Sequence, residues 1–263
     1  MPGLMSSEYR IETSRGAVYA KKWQGRETAK APIILLHDSL GSVELWRDFP
    51  DQVCVATGHD VIAYDRLGFG RSDAHPGAIA FDFITDEAKT TFKAMLEAME
   101  IDRFMVLGHS VGGGMAAAVA AQFPDRCAAL MTEAAQAFVE DLTLAGIRDA
   151  EVFFKQEQQL NRLIKYHGDK TRWVLDAWIR TWQADEFKDW NLDAYLPKIT
   201  CPSLIIHGEK DEYGSSAHPN RYANLTSGEC HLRLLPGCGH VPHKEQCDLV
   251  LDEIRQFLEK IVL

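Results

Sequence analysis

The sequence has no run of eighteen apolar residues, no block of like charges and no C-x-x-C pair. The first absence excludes a helix able to cross a bilayer, and the second gives no sign of an interaction tail. Cations are in deficit: 28 Lys and Arg against 38 Asp and Glu give a formal net charge of −10. A protein that neutralises phosphates needs a basic face, so nucleic acid is not the expected partner. The opening residues lack the basic stretch and apolar core of a secretion signal. The cysteines (Cys54, Cys127, Cys201, Cys230, Cys238 and Cys247) are scattered through a chain large enough to fold without staples, so reduced thiols are expected. These absences lead us to expect a soluble, cytoplasmic protein acting on a small molecule, with no membrane partner; oligomeric state is left open.

Hydrophobic residues at 46% and charged residues at 25% fall within the globular range, and 263 residues suit an alpha/beta fold carrying an insertion. Residues 9–23 alternate well enough for an edge hairpin. Short, largely apolar runs at 32–37, 61–64, 104–107, 127–132 and 202–208, with a further strand at 231–235, are expected strands of a parallel sheet covered on both faces. Helical spacing links them over 43–57, 81–99 and 244–261, while 25–31 reads as a polar connector. The loop from Asp65 to Ser72 carries Gly68 and Gly70 for a tight turn or a phosphate cradle, but it lacks the third glycine and the following helix of a nucleotide motif. Between 137 and 196 strand character disappears, and Phe153, Phe154, Trp173, Trp178, Trp182 and Trp190 sit in helical patterns.

The stretch around which the rest is organised is Gly108-His109-Ser110-Val111-Gly112, placed between an apolar strand and a small-residue helix. G-x-S-x-G in that context holds a serine hydroxyl above the end of a sheet, with the next helix aiming free N–H groups at the same space. Ser110 is therefore the expected nucleophile. A serine hydroxyl needs a base. His240 follows a late strand in a glycine-rich turn, whereas His37 and His207 end buried strands and are expected to be satisfied there. An imidazole in that role needs a carboxylate, and Asp211 follows the preceding strand; Glu209, Glu212 and Glu133 are its rivals.

From His37 through the Asp65 loop, the Ser110 elbow, the Asp211 turn and Gly239-His240, the chain resembles an alpha/beta-hydrolase over nearly its whole length. The resemblance implies a mostly parallel eight-stranded sheet with helices on both faces, a core formed by 1–136 and 197–263, and a helical cap at 137–196. It also implies no metal or organic cofactor. The oxyanion hole would be the backbone amides of Val111 and Ser39. Here the chain departs from the usual pattern, with Asp38 where relatives carry glycine, so the orientation of that carboxylate matters. Dehalogenases and epoxide hydrolases of this fold carry aspartate where Ser110 stands. Carbon–carbon bond hydrolases keep the serine but usually place tryptophan where this chain has Val241.

The expected activity is hydrolysis of a small carboxylic ester or thioester through an acyl-serine. A carbon–carbon or lactone hydrolase with the same triad is the second reading, and a slow small-ligand receptor is the reading from another class. Phe153, Trp178 and Trp182 are the expected substrate-binding residues of the cap. Arg148, Arg162, Arg172 and Arg180 are candidates for pairing with a substrate carboxylate.

Overall fold

The computed structural model describes residues 4–27 and 30–261; positions 28 and 29, inside the expected polar connector, lie outside them. The chain opens with β1 (Ser6–Thr13) and β2 (Gly16–Trp23), an antiparallel hairpin in register from Ser6 opposite Trp23 to Thr13 opposite Gly16. β3 (Ile33–Leu36), α1 (Phe49–Thr57), β4 (Val61–Tyr64), α2 (Phe83–Lys89), α3 (Thr91–Ala98), β5 (Phe104–His109), α4 (Val111–Gln122) and β6 (Cys127–Glu133) follow. Three helices then intervene: α5 (Asp141–Phe154), α6 (Glu157–His167) and α7 (Thr171–Trp182). β7 (Ser203–Gly208), α8 (Ala217–Leu225), β8 (Cys230–Leu235), α9 (Pro242–Glu245) and α10 (Cys247–Lys260) complete the chain.

The eight strands form one sheet in the order β1-β2-β4-β3-β5-β6-β7-β8. The pairings of β2 with β1 and β4 are antiparallel, and all the others are parallel. Strand alternation divides the core in two. Ile34, Leu36, Ile62, Tyr64, Val106, Leu130 and Ile205 face α2, α3 and α4. Ile33, Leu35, Val61, Ala63, Leu107, Met131 and Ile206 face α1 and α10. Each Val, Leu, Ile or Met side chain so buried stabilises by about 1.5–3 kcal/mol relative to exposure, which is why these strands are apolar at consecutive positions.

Three expected helices prove to be broken. The 43–57 span holds a single 3-10 turn at Val43–Trp46 before α1, and Pro50 lies in the first turn of α1, where its missing N–H leaves no bond unmade. The 81–99 span divides at Thr90, whose hydroxyl turns back to the Asp86 carbonyl at 2.8 Å. The last divides at Gln246, between α9 and α10. No described helix is long and apolar enough to cross a membrane. All six cysteines are free thiols.

Candidate active site

β5 lies between β3 and β6 in the middle of the parallel sheet, so whatever follows its last residue stands between the loops that leave its neighbours. Ser110 is that residue. The chain reverses there at φ +57° and ψ −126°, in a region unfavourable for a side-chain-bearing residue, at a cost of about 1–3 kcal/mol. The flanking glycines make the reversal possible. A Cβ at Gly108 would fall 2.1 Å from the Gly112 carbonyl oxygen, and one at Gly112 would fall 2.2 Å from that of Leu36.

The loop after β8 brings His240 over this elbow, and the turn after β7 brings Asp211 behind it. His240 Nε2 lies 3.0 Å from Ser110 Oγ, and Nδ1 lies 2.8 Å from Asp211 Oδ1. A carboxylate only accepts, so Nδ1 carries the proton and Nε2 is left to accept from the serine hydroxyl. Asp211 Oδ1 also accepts the backbone amides of Tyr213 at 2.8 Å and Gly214 at 3.1 Å. Burial favours the neutral acid, but the His240 hydrogen bond and charge outweigh it and hold Asp211 below its ordinary value. The Tyr213 ring rests 4.8 Å from the His240 ring.

Glu133, the rival acid, does not touch His240. Its Oε2 accepts from the His243 amide at 3.1 Å and stands 2.8 Å from His243 Nδ1, in a second, separate pair. Both ring nitrogens of His37 are engaged, by the Asp38 carbonyl and the Arg66 amide. His207 is engaged only at Nε2, by the Gly214 carbonyl; Nδ1 has no partner among the described residues.

The amides of Ser39 and Val111 have no hydrogen-bond acceptor among the described residues. Asp38 borders the same cavity as Ser39. Its Oδ1 accepts the Leu40 amide at 2.8 Å, and its Oδ2 lies 3.4 Å from His109 Nδ1, a distance suited to charge attraction without hydrogen-bond alignment. His109 Nε2 donates to the His240 carbonyl at 2.8 Å. Burial favours a neutral imidazole, but the Asp38 carboxylate overrides it and raises His109 above its ordinary value. The carboxyl in turn is held well below its own, despite burial, by His109.

These groups line a cavity of about 170 Å³ under α5 and α7, which add Thr143, Ile147, Trp178 and Trp182. Phe153 does not reach it. That side chain is 43% exposed on the outer face of α5. Arg148, Arg162, Arg172 and Arg180 are exposed, and none lines the cavity. Gln136, unremarked in the sequence, places Oε1 3.2 Å from Ser110 Oγ as a second acceptor for the hydroxyl proton. Its position just past β6, beside the elbow, was the available signal. A larger hollow of about 580 Å³ lies at the opposite, amino ends of the strands, beside Pro32, Asp60 and Arg103, far from this chemistry.

Residues 31–177 match the family model described as alpha/beta hydrolase fold. The chain belongs to that family. Among relatives of this alpha/beta-hydrolase, the human "Serine hydrolase BPHL" is 29% identical over 82% of this chain and 75% of its own. A rat "1-acylglycerol-3-phosphate O-acyltransferase ABHD5" is 35% identical over 51% of this chain, which spans only 38% of that protein. The solved structure of a thermophilic esterase from Thermogutta terrifontis superposes with a TM-score of 0.72 at 20% identity, covering 97% of this chain and 99% of the other.

Proposed function

We propose that this alpha/beta-hydrolase cleaves a small carboxylic ester or thioester through an acyl-serine intermediate. The observation that carries the reading is the unbroken hydrogen-bond chain from Ser110 Oγ through His240 to Asp211, at 3.0 and 2.8 Å. Ser110 attacks the carbonyl carbon as His240 Nε2 takes its proton. The imidazolium is stabilised by Asp211, whose carboxylate is already ionised and fixed by two backbone amides. The charge developing on the carbonyl oxygen falls to the Ser39 and Val111 amides, which need no reorganisation to receive it. His240 then protonates the leaving alcohol or thiol, and a water activated by the same imidazole releases the acid.

In this reading 1–136 and 197–263 are the working core, and 137–196 is a lid whose Trp178 and Trp182 bound the substrate. Pockets for drug-sized ligands measure roughly 300–1,000 Å³, so a cavity of about 170 Å³ favours a short acyl group. Multiple turnover of p-nitrophenyl acetate by the wild-type protein separates an enzyme from a receptor. Ser110→Ala should lower that turnover by on the order of 10⁴ or more with the fold intact. A folded alanine variant that kept a tenth of the activity would end the assignment.

A further inference from the structure

Among the described residues Arg66 is the only buried lysine or arginine, 3% exposed. It lies just past β4, in the Asp65 to Ser72 loop. Its Nη2 donates to the Asp38 carbonyl at 2.8 Å, and its guanidinium lies 4.1 Å from the centre of the Phe69 ring. That leaves most of its donors unspent: Nε is buried without a partner, and no described carboxylate oxygen lies within 4.0 Å of the group. The neighbouring carboxylates act on it through charge alone, without a hydrogen bond to it. Glu87 accepts the Tyr64 hydroxyl at 2.6 Å, and Asp38 faces His109. A buried arginine with no carboxylate hydrogen-bonded to it carries a desolvation cost of several kcal/mol, so this arrangement leaves donors free for a negative group from outside the chain.

The space for one is adjacent. Arg66 lines a small void of about 10 Å³, room for roughly one water, together with Ser39, Val111, Phe69 and the two cap tryptophans. Ser39, Trp178 and Trp182 also line the cavity over Ser110, so the void and the cavity share a wall beside the two free amides. A leaving group must lie on the side of His240, which protonates it, with Tyr213 and Val241. The acyl part is then directed the other way, toward Ser39, the tryptophans and Arg66. Trp178 is half-buried, and it is the wall that would have to shift for a carboxylate to reach Arg66.

We infer that the preferred acyl group carries a carboxylate and that Arg66 binds it, which makes the substrate a half-ester of a short dicarboxylic acid. The inference rests on the acyl-serine reading above. Ser110 displaces the alcohol, which leaves with the proton from His240; water then frees the second carboxylate, so that a dicarboxylate and an alcohol are the products. The remote ion pair supplies binding energy to the reaction at Ser110.

The test compares monomethyl glutarate with methyl pentanoate in a pH-stat. A charged hydrogen-bonded pair in a buried site corresponds to on the order of a 10- to 100-fold preference in kcat/KM for the half-ester. Arg66→Gln should bring that ratio to about one. Independently of turnover, glutarate should raise the Tm of Ser110→Ala protein more than pentanoate does at equal concentration. Equal kcat/KM values for the two esters with the wild-type enzyme, or a preference for methyl pentanoate, would overturn the inference. So would equal melting shifts with the two acids. Arg66 would then only tether the Asp38 loop, a conclusion that needs no folded Arg66 variant. Methyl pentanoate turnover that is abolished by Ser110→Ala keeps the acyl-serine reading in force whichever way the ratio falls.

Discussion

Replacing Asp211 by asparagine removes one charge while keeping the shape, and the surrounding amides determine which end of the new side chain faces His240. Oδ1 of Asp211 accepts three donors: His240 Nδ1 and the amides of Tyr213 and Gly214. An asparagine NH₂ group at that position would confront all three, so its carbonyl oxygen must stay there and the NH₂ must take the place of Oδ2. His240 therefore retains its acceptor and its tautomer, and the variant loses only the anion beside the imidazolium. A hydrogen bond to a charged group is worth about 1.5–3 kcal/mol in all, so losing the charge while keeping the acceptor costs at most roughly 10- to 150-fold in kcat. That is well short of the ~10⁴-fold loss expected where asparagine forces the wrong tautomer. The assay is ester turnover at neutral pH beside Glu133→Gln, which breaks into the His243 pair and should cost about 1–3 kcal/mol of stability with kcat within a few-fold of wild type. Near-normal turnover in the Asp211 variant with collapse in a fully folded Glu133 variant would refute the assignment. A loss of ~10⁴ in the Asp211 variant would show that the amide had turned over.

Gly112→Ala places a Cβ 2.2 Å from the Leu36 carbonyl oxygen and 2.6 Å from that of His37, where only backbone could yield; a loss of about 3 kcal/mol or more in urea unfolding is expected. The Asp38–His109 pair should make stability depend on pH in a defined window. His109 is raised above 6.5, so its contribution is complete below that value and fades as pH rises through the elevated one. Asp38 is depressed below 3.8, so its contribution is complete above that value and fades as pH falls through the depressed one. The Tm difference between wild type and Asp38→Asn should accordingly be greatest between pH 3.8 and 6.5 and shrink toward alkaline pH; a difference that grows there would contradict the pairing. Trp178→Ala should shift preference toward longer acyl chains by up to about fourfold per added methylene, from ~0.8 kcal/mol each, measured as kcat/KM over a series of p-nitrophenyl esters. Trp182→Ala should instead lower stability by about 3–5 kcal/mol, read by thermal melting, because its ring packs against Phe187 and Trp190.

The parallel strands were legible because a strand covered on both faces must be apolar at every position, and 33–36, 61–64 and 104–107 are. The geometry around Ser110 was legible for a related reason: groups at the carboxyl ends of parallel strands share one edge of the sheet. Glu133 and Asp211 could not be separated by that rule, since both lie at strand ends; the division was made by His243, a second histidine that Glu133 binds. The expected cap was harder to read. Helix positions share a face only at spacings of three or four, so the adjacent Phe153 and Phe154 said little about direction, and α5 turns Thr143 and Ile147 inward instead. The Asp38–His109 pair, Gln136 beside Ser110 and the isolation of Arg66 depend on loops that meet only in three dimensions.

His240 and Ser110 are 130 positions apart in the chain, and Asp211 stands between them. During synthesis the elbow leaves the ribosome long before its base, and a nascent chain of 200 residues contains Ser110 but neither β7 nor β8. No local segment can assemble the hydroxyl with the imidazole over it, so the proposed esterase activity would be absent from every partly made chain and from any folding intermediate in which the last two strands are undocked. Recovery of turnover after dilution from denaturant would then time the docking of the carboxyl-terminal strands, and it should lag behind probes of the earlier β3 to β6 region.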